Sequence, residues 1–387
     1  MAYTVITGAK RTPLGKRGGA LSRVHPAELL GSLIAATLEE IALDPGAVDQ
    51  VLAGCVAPVG DQGYNVGRMA WLAAGLPYEI PAATLDAQCG SSHQAVNIAA
   101  SLIAAGQADH VVVGGVELMS RHPLGSSVAG GEGEPMGAAY REHYEMIDQG
   151  ESAERIADHW EIGRSECDEI GLRSQHLAAE ARDNGRFDDE LWPVDLPTAN
   201  RESPRVCIDA DETPRHTTRE ALAELSPVFR RDGCHTAGNS SQISDGASCI
   251  VISSATAAER DGLIHLAAIE HQAFVGVDPV LKLTGPIPAT IKALDRGGLS
   301  TREIHRWEVN EAFASVIGAW TREVAVDVDR INLNGGAIAL GHPVGATGAR
   351  LIATAVHQLR HRGTGRALVA MCCGGGLGTA TILGVEG

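Results

Sequence analysis

A cysteine at position 89 stands in the segment DAQCGSSHQAV, after a predicted strand and a short loop and at the start of a predicted helix. Helix N-termini carry partial positive charge and unpaired N–H groups, and both favour the thiolate, the reactive form of cysteine. Gly90, Ser91 and Ser92 leave space and supply donors. The alternative is a small buried side chain without chemistry, but this setting favours a nucleophile.

A histidine at position 342 stands in the glycine-rich segment GGAIALGHPVGATGA. Glycines let the backbone approach a ligand closely, and Pro343 fixes the chain beside the histidine. An imidazole with a pKa of about 6.5 is suited to proton transfer near neutral pH. The alternative is a surface turn, which fits most of the other histidines better than it fits His342.

Two adjacent cysteines, Cys372 and Cys373, follow a predicted buried strand in MCCGGGLGTA. Neighbouring residues of an extended chain point to opposite sides, so at most one of them faces a given site. The accessible N–H groups of the following glycines suit an oxyanion site, although packing and a turn would explain the segment too. Asn310 follows another strand, where it could cap a helix or position a water.

Alternating strand and helix patterns position these residues in two similar regions. In the first region we expect strands at 3–8, 51–53 and 110–113, helices at 27–41 and 94–105, and a strand end at Gly114-Gly115. In the second we expect strands at 266–275, 306–309, 367–371 and 379–383, and helices at 286–295, 311–324 and 347–361. The pattern predicts a duplicated α/β unit with mostly parallel sheets.

The segment between these regions is rich in glycine, proline and charge, with helices expected at 152–160 and 165–184. We interpret it as an insertion without a third sheet, after which a strand at 248–252 completes the first half. The predicted division is 1–120 plus 245–265, 121–244, and 266–387. Cys89 belongs to the first part, and Asn310, His342 and Cys372 belong to the last.

Composition excludes several classes of protein. The 387 residues carry a net charge of −17, which argues against nucleic acid as a partner. The eight cysteines form no CxxC pair, so a zinc ribbon has no support and free thiols are expected. The N-terminal residues lack a signal-peptide pattern, and no apolar run is long enough to span a membrane. We therefore expect a cytoplasmic protein.

The blocks CGSS at Cys89, NEAFA at Asn310, GGAIALGHPVGATGA at His342 and MCCGGGLGTA at Cys372 resemble the signature blocks of the thiolase family. TAGNSSQISDGA at 236–247 and GVDPVLKLTGPIPA at 276–289 resemble it too. The blocks occur in order along essentially the whole chain. The resemblance implies two α/β halves in a five-layer αβαβα stack, with a loop domain inserted in the first half.

The resemblance also implies roles. Cys89 would carry the acyl group, His342 would activate it, and Asn310 would hold a water that helps to bind the thioester oxygen. Cys372 would be the second acid/base, and the N–H groups of Cys89 and Gly374 would form an oxyanion hole. The reaction would be ping-pong cleavage of a 3-ketoacyl-CoA by CoA, reversible as a Claisen condensation.

Coenzyme A would be a co-substrate, with no metal or permanently bound cofactor, and the chain would form a homodimer or homotetramer. The implied CoA contacts are Arg215, Phe229, Ala237, Ser241, Ala312 and Phe313.

Three residues of the implied acyl pocket depart from the family pattern. Lys282 and Gln149 stand where methionine is common, and His93 stands where an apolar residue is usual. We therefore expect an unusual acyl group that is bulky or polar. LTGPIPAT also resembles thiolases that act on steroid side chains. The alternatives are a biosynthetic acetoacetyl-CoA thiolase, a β-ketoacyl synthase-like condensing enzyme and a non-catalytic acyl-CoA-binding protein.

Overall fold

The computed structural model describes residues 3–129, 132–196 and 206–386. The strands are β1 (Thr4–Arg11), β2 (Gly15–Lys16), β3 (Gln50–Gly54), β4 (Ala82–Leu85), β5 (His110–Leu118), β6 (Val194–Leu196), β7 (Val206–Ile208), β8 (Ser244–Ser254), β9 (Ala267–Gly276), β10 (Arg306–Val309), β11 (Gly365–Cys373) and β12 (Leu377–Val385). The helices are α1 (Pro26–Glu40), α2 (Val66–Ala73), α3 (Ser91–Ala104), α4 (Ala138–His143), α5 (Gln149–His159), α6 (Arg164–Asp183), α7 (Arg219–Ala223), α8 (Ala255–Arg260), α9 (Pro286–Gly297), α10 (Ala314–Val324), α11 (Ala337–Leu340) and α12 (Thr347–Arg362).

Local sequence explains where several helices begin and end. Pro26 and Pro286 occupy the first positions of α1 and α9, where a missing N–H costs no hydrogen bond. Gly298 and Gly363 follow α9 and α12 with φ angles of 61° and 90°, the left-handed conformation that closes a helix at low cost. No helix among the described residues is long and apolar enough to cross a membrane.

The central sheet runs β10-β11-β12-β9-β1-β8-β5-β3-β4, with β2 paired to β8. Its two halves meet where β1 pairs with β9 over two residue pairs. Helices α3 and α12 pack on each other and on strands from both halves, so they form a buried middle layer. Helices α1 and α2 cover the outside of one half, and α9 and α10 cover the other. The result is a five-layer αβαβα arrangement.

The prediction of mostly parallel sheets is wrong. Only the pairs β3/β4, β3/β5 and β10/β11 are parallel among the described strands. A helical crossover returns the chain in the same direction, which produces these three pairs. The others are antiparallel because β12 follows β11 through a short turn, and because β8 and β9 enter the sheet from the opposite end.

The segment between β5 and β8 contains α4 to α7 and one small antiparallel pair, β6 with β7. That pair is separate from the central sheet, so the inserted segment does contain a short second sheet, contrary to expectation. Strand β8 then pairs with both β1 and β5, which returns the chain to the first half. The domain boundaries given above stay a prediction.

Candidate active site

Cys89 lies in a tight turn two residues before α3. The Ser91 hydroxyl donates to the Gln88 carbonyl (2.6 Å) and accepts from the Ala87 N–H (3.0 Å), which fixes the turn. Gln88 has a φ of 54°, a left-handed conformation that is uncommon outside glycine and is often kept at functional sites. The Cys89 side chain is buried, with 8% of the residue exposed.

Two facing glycines explain how α3 meets the loop that carries His342. Gly54 of β3 pairs with Gly115 of β5. A Cβ on Gly54 would lie 2.3 Å from the Ser92 nitrogen, and a Cβ on either glycine would lie 2.7 Å from the Gly345 oxygen. Only glycine fits at both positions, so the first turn of α3 and the loop after His342 rest on the same part of the sheet. The predicted strand end at Gly114-Gly115 is wrong, because β5 continues to Leu118 through its pairing with β8.

His342 is held through its backbone and its ring. Its N–H donates to the Ser244 hydroxyl (2.9 Å) and the Gln242 carbonyl (3.1 Å). Its Nδ1 lies 2.7 Å from the Thr347 hydroxyl, which itself donates to the Pro343 carbonyl (2.8 Å). Because the hydroxyl proton is already used, Thr347 accepts a hydrogen bond from Nδ1–H. Nε2 is then the unprotonated nitrogen, available as a base.

Asn310 lies beside the ring of His342, with its amide nitrogen 3.4 Å from Nε2. It is not a helix cap, because α10 begins four residues later at Ala314. Its buried amide oxygen has no hydrogen-bond partner among the described residues, an arrangement that suits a bound water. The next residue, Glu311, accepts from Ser174 (2.6 Å) and Asn332 (2.9 Å), which fixes the start of this segment.

The two cysteines at the end of β11 face different surroundings. Cys372 belongs to the buried cluster that contains Phe313 and Leu283, whereas Cys373 belongs to the central cluster that contains Cys89. A Cβ on Gly90 would lie 2.4 Å from the Cys373 sulfur, so Cys373 packs directly against the turn that contains Cys89 and Gly90. The N–H of the following residue, Gly374, and the N–H of Cys89 itself are directed at the Cys89 sulfur and favour its thiolate.

Burial decides the protonation states in the resting site. It raises the pKa of Cys89 to about 11, although the two N–H groups oppose this shift. Burial, with a smaller contribution from Arg350, lowers the pKa of His342 to about 3. Burial and the nearby Cys89 also raise the pKa of Cys372. The helix terminus alone therefore does not produce a thiolate, and at neutral pH the site holds neutral thiols beside a neutral imidazole.

This protonation state predicts a particular pH dependence of alkylation. Because the thiolate is the reacting form, the rate at which iodoacetamide modifies Cys89 should keep rising between about pH 7 and 10, without levelling near the ordinary cysteine pKa of about 8.5. The rate is measured by peptide mass spectrometry, with Cys89→Ala as the background control. A plateau at or below the ordinary pKa would indicate a thiolate–imidazolium pair at rest and contradict the assignment.

The residues predicted to contact CoA lie together. Arg215 donates to the Ala237 carbonyl (3.1 Å), and the Ser241 N–H donates to the Ala312 carbonyl (3.0 Å). Phe229 and Phe313 meet edge to face, with ring centroids 5.6 Å apart. The six residues thus line one continuous region, where the inserted segment meets the chain after β10.

Two of the three predicted acyl-pocket residues are neighbours. Lys282 donates from Nζ to the Ile147 carbonyl (2.7 Å), two residues before Gln149. The third, His93, is elsewhere: it is fully buried with its Nε2 2.8 Å from Thr381 of β12, and it packs against Gly348 of α12. Its contacts are those of a core residue between α3, α12 and β12, and they do not support a place beside Lys282.

The residues that orient His342 and its loop were not among those predicted from the sequence. Thr347 and Ser244 fix His342, and Glu117 accepts from the N–H groups of Gly345 (3.1 Å) and Val56 (2.8 Å). Glu117 is completely buried at the end of an apolar strand, and a carboxylate in that setting was the available signal. Thr347 and Ser244 carried no such sequence signal, because hydroxyl side chains are common in turns.

Comparison with known proteins identifies relatives over the whole chain. Residues 4–256 match the family described as thiolase, N-terminal domain, and residues 263–385 match thiolase, C-terminal domain. A steroid 3-ketoacyl-CoA thiolase of Mycobacterium tuberculosis is 41% identical, covering 99% of this chain and 94% of that protein. An acetyl-CoA acetyltransferase of Syntrophomonas wolfei is 38% identical, covering 98% of each. The human mitochondrial 3-ketoacyl-CoA thiolase structure superimposes with a TM-score of 0.90 at 35% identity, covering 100% of this chain and 99% of that one.

Proposed function

The chain belongs to the thiolase family, and on that premise we propose that it is a degradative 3-ketoacyl-CoA thiolase for acyl groups that carry a polar or anionic substituent. It is an acyltransferase that acts on CoA thioesters, by thiolytic cleavage or the reverse condensation. The direction, the acyl group and the residue roles below are our proposal. The observation that supports the roles is the Gly374 N–H directed at the Cys89 sulfur, together with an unprotonated His342 nitrogen on the loop that rests on the same glycine as the turn of Cys89.

In the first half-reaction the Cys89 thiol gives its proton to Nε2 of His342, and the sulfur attacks the 3-keto carbon of the substrate. The N–H groups of Cys89 and Gly374 stabilise the oxyanion of the tetrahedral intermediate. The C2–C3 bond then breaks, and the acyl group stays on Cys89. The acetyl-CoA carbanion is stabilised at its thioester oxygen by His342 and an Asn310-bound water, and takes its proton from Cys372.

In the second half-reaction the Cys372 thiolate accepts the proton of an incoming CoA thiol. The CoA sulfur attacks the acyl carbon, and Cys89 leaves as a thiolate that recovers its proton from His342. Every proton is returned, so the steps need no metal or redox cofactor and CoA is a co-substrate. The separation of Cys372 from Cys373 supports this assignment, because Cys372 shares a buried cluster with Phe313, one of the proposed CoA contacts.

The proposed substrate preference rests on Lys282. Its side chain is half-buried, and burial lowers the pKa of its ammonium. An ammonium has three donors, and the Ile147 carbonyl accepts from one of them. The neighbouring Leu283 lies in the same buried cluster as Cys372, and its turn contacts β11, so this segment borders the proposed reaction site. An acyl group with a carboxylate or other acceptor would satisfy the remaining donors, whereas a plain alkyl chain would leave them unpaired.

The test is a panel of 3-ketoacyl-CoAs with short, long and ring-bearing acyl groups, each with and without a terminal carboxylate. Replacing Lys282 with methionine is expected to lower kcat/KM for carboxylate-bearing members by about 10-fold or more, since hydrogen bonds to charged groups contribute about 1.5–3 kcal/mol. The same variant should cleave plain linear members as well as or better than wild type. Lys292→Met, on the exposed face of α9, is the matched control.

Wild-type cleavage of simple linear substrates alone, unchanged by Lys282→Met, would contradict the preference for a polar acyl group. A second function, biosynthetic condensation of two acetyl-CoA molecules, is favoured by the similarity to acetyl-CoA acetyltransferases. Acetoacetyl-CoA formation without cleavage of any longer member would support it instead. The proposal includes a homodimer or homotetramer in the cytoplasm, which rests on the family resemblance and on the free cysteines.

A further inference from the structure

A cluster of metal-binding side chains lies outside the proposed reaction site. Cys167 of α6 and Cys234 and His235 of the loop before β8 bring their ligand atoms within 4.8 Å of one another. Glu154 of α5 borders the cluster, with its carboxylate against Cys234 and His235. All four residues are buried, and none is part of the mechanism proposed above. Their separation in sequence explains why no spacing motif indicated the cluster.

The distances within the cluster suit tetrahedral coordination. The sulfurs of Cys167 and Cys234 lie 3.7 Å apart, and Cys234 Sγ lies 3.4 Å from His235 Nδ1. Zinc–sulfur bonds of about 2.3 Å and zinc–nitrogen bonds of about 2.0 Å give S···S and S···N separations of about 3.8 and 3.5 Å in a tetrahedron. Glu154 Oε2 lies 3.3 Å from both Cys234 Sγ and His235 Nδ1 but outside the group of three, so its carboxylate would have to move toward Cys167 to supply the fourth ligand.

The types of ligand atom indicate which metal ion the cluster would bind. Two sulfurs with one imidazole favour zinc over calcium or magnesium, which prefer oxygen ligands. The sulfur separation of 3.7 Å is far from the disulfide bond length of about 2.05 Å. Glu154 already accepts from the N–H groups of Cys234 (3.0 Å) and His235 (3.1 Å). Burial of two thiols and an imidazole in one place is costly unless their polar atoms are used, and coordination would use both sulfurs and Nδ1.

We propose that Cys167, Cys234, His235 and Glu154 bind a structural zinc ion. On binding, both thiols release their protons to solvent. The proton shared between His235 and Glu154 is released to solvent as well. Three segments are then joined at one point: α5, α6 and the loop that continues to Ala237 and Ser241. The His235 ring also packs edge to face on Phe313, with centroids 5.5 Å apart. The ion would therefore hold the proposed CoA-contacting loop against the segment after β10.

The experiment measures zinc in the purified full-length enzyme, kept reduced and dialysed against metal-free buffer, by plasma mass spectrometry. We expect about one zinc per chain, the stoichiometry of a single closed site. Cys167→Ser and Cys234→Ser should each lose most of it. Cys249→Ser, a buried cysteine of β8, should retain it. Removing zinc with a chelator should lower the Tm of wild type, and adding zinc back should restore it.

Cobalt replacement covers the case in which a serine variant does not fold. Cobalt added to folded, zinc-free wild type should produce the intense thiolate-to-cobalt charge-transfer absorption, and His235→Asn should weaken it. Less than about one-tenth of an equivalent of zinc, together with no such absorption, would overturn the proposal. A Cys167–Cys234 disulfide in the isolated enzyme, or zinc retained in the double serine variant, would overturn it too.

Discussion

Replacing Cys89 with alanine is expected to lower kcat for thiolysis by roughly four orders of magnitude or more, the scale seen when a covalent nucleophile is removed. Without the sulfur no acyl group can be stored between the two half-reactions, and no other described cysteine takes its place. Cys372 packs toward Phe313, and Cys373 lies behind Gly90. The rate is measured as CoA-dependent loss of the 3-ketoacyl-CoA.

Cys249→Ala is the matched control, because Cys249 is equally buried but lies in β8 within the cluster under α1 and α2. It should keep activity near that of wild type in the folded enzyme. Circular dichroism and Tm of both variants separate chemistry from folding. If Cys89→Ala retained more than about one per cent of wild-type kcat, a nucleophilic role for Cys89 would be untenable.

Replacing His342 with alanine is expected to lower kcat by about 10²- to 10⁴-fold, the usual contribution of a general base. The reason is the raised pKa of Cys89, about 11, which leaves little thiolate at neutral pH without a proton acceptor. Since activity then depends on spontaneous thiolate formation, the residual rate of the variant should rise steeply with pH up to about 11. Wild type should depend less on pH over the same range.

His357→Gln is the control for the loss of a buried histidine, because its ring contacts the Ala9 carbonyl (2.8 Å) away from Cys89. Thr347→Val adds a graded comparison, since it removes the acceptor that keeps the proton on Nδ1 of His342. It should lower kcat less than His342→Ala does and leave KM for CoA nearly unchanged. An His342→Ala variant with wild-type kcat and an unaltered pH profile would refute the base assignment.

The sequence predicted the elements of the fold better than their directions. Most strand and helix positions agree within a few residues, because apolar periodicity and the prolines at 26 and 286 are local signals. Strand direction depends on which strands pair across distant parts of the chain. Nothing within β8 or β9 indicates that β1 would lie between them in antiparallel register.

For the site, the sequence singled out Cys89, His342, Asn310 and Cys372 because each stands in an unusual local context, and their roles stay predictions. It did not identify the partners that orient them, such as Ser244 and Thr347, because those contacts join residues close in space without a local pattern. His93 is a residue that the sequence placed in the acyl pocket but that the structure places in the core. Its departure from the family's apolar residue suggested a pocket, but its place on α3 turns its side chain toward β12 and α12.

The acyl-enzyme on Cys89 can be tested by mixing the enzyme with a cleavable 3-ketoacyl-CoA in the absence of free CoA, quenching with acid, and locating any acyl group by intact and peptide mass spectrometry. We expect one acyl group per chain, bound as a thioester to the peptide that contains Cys89 and removed when CoA is added. An acyl group on another cysteine, or cleavage that leaves no acyl-enzyme while turnover proceeds, would contradict it.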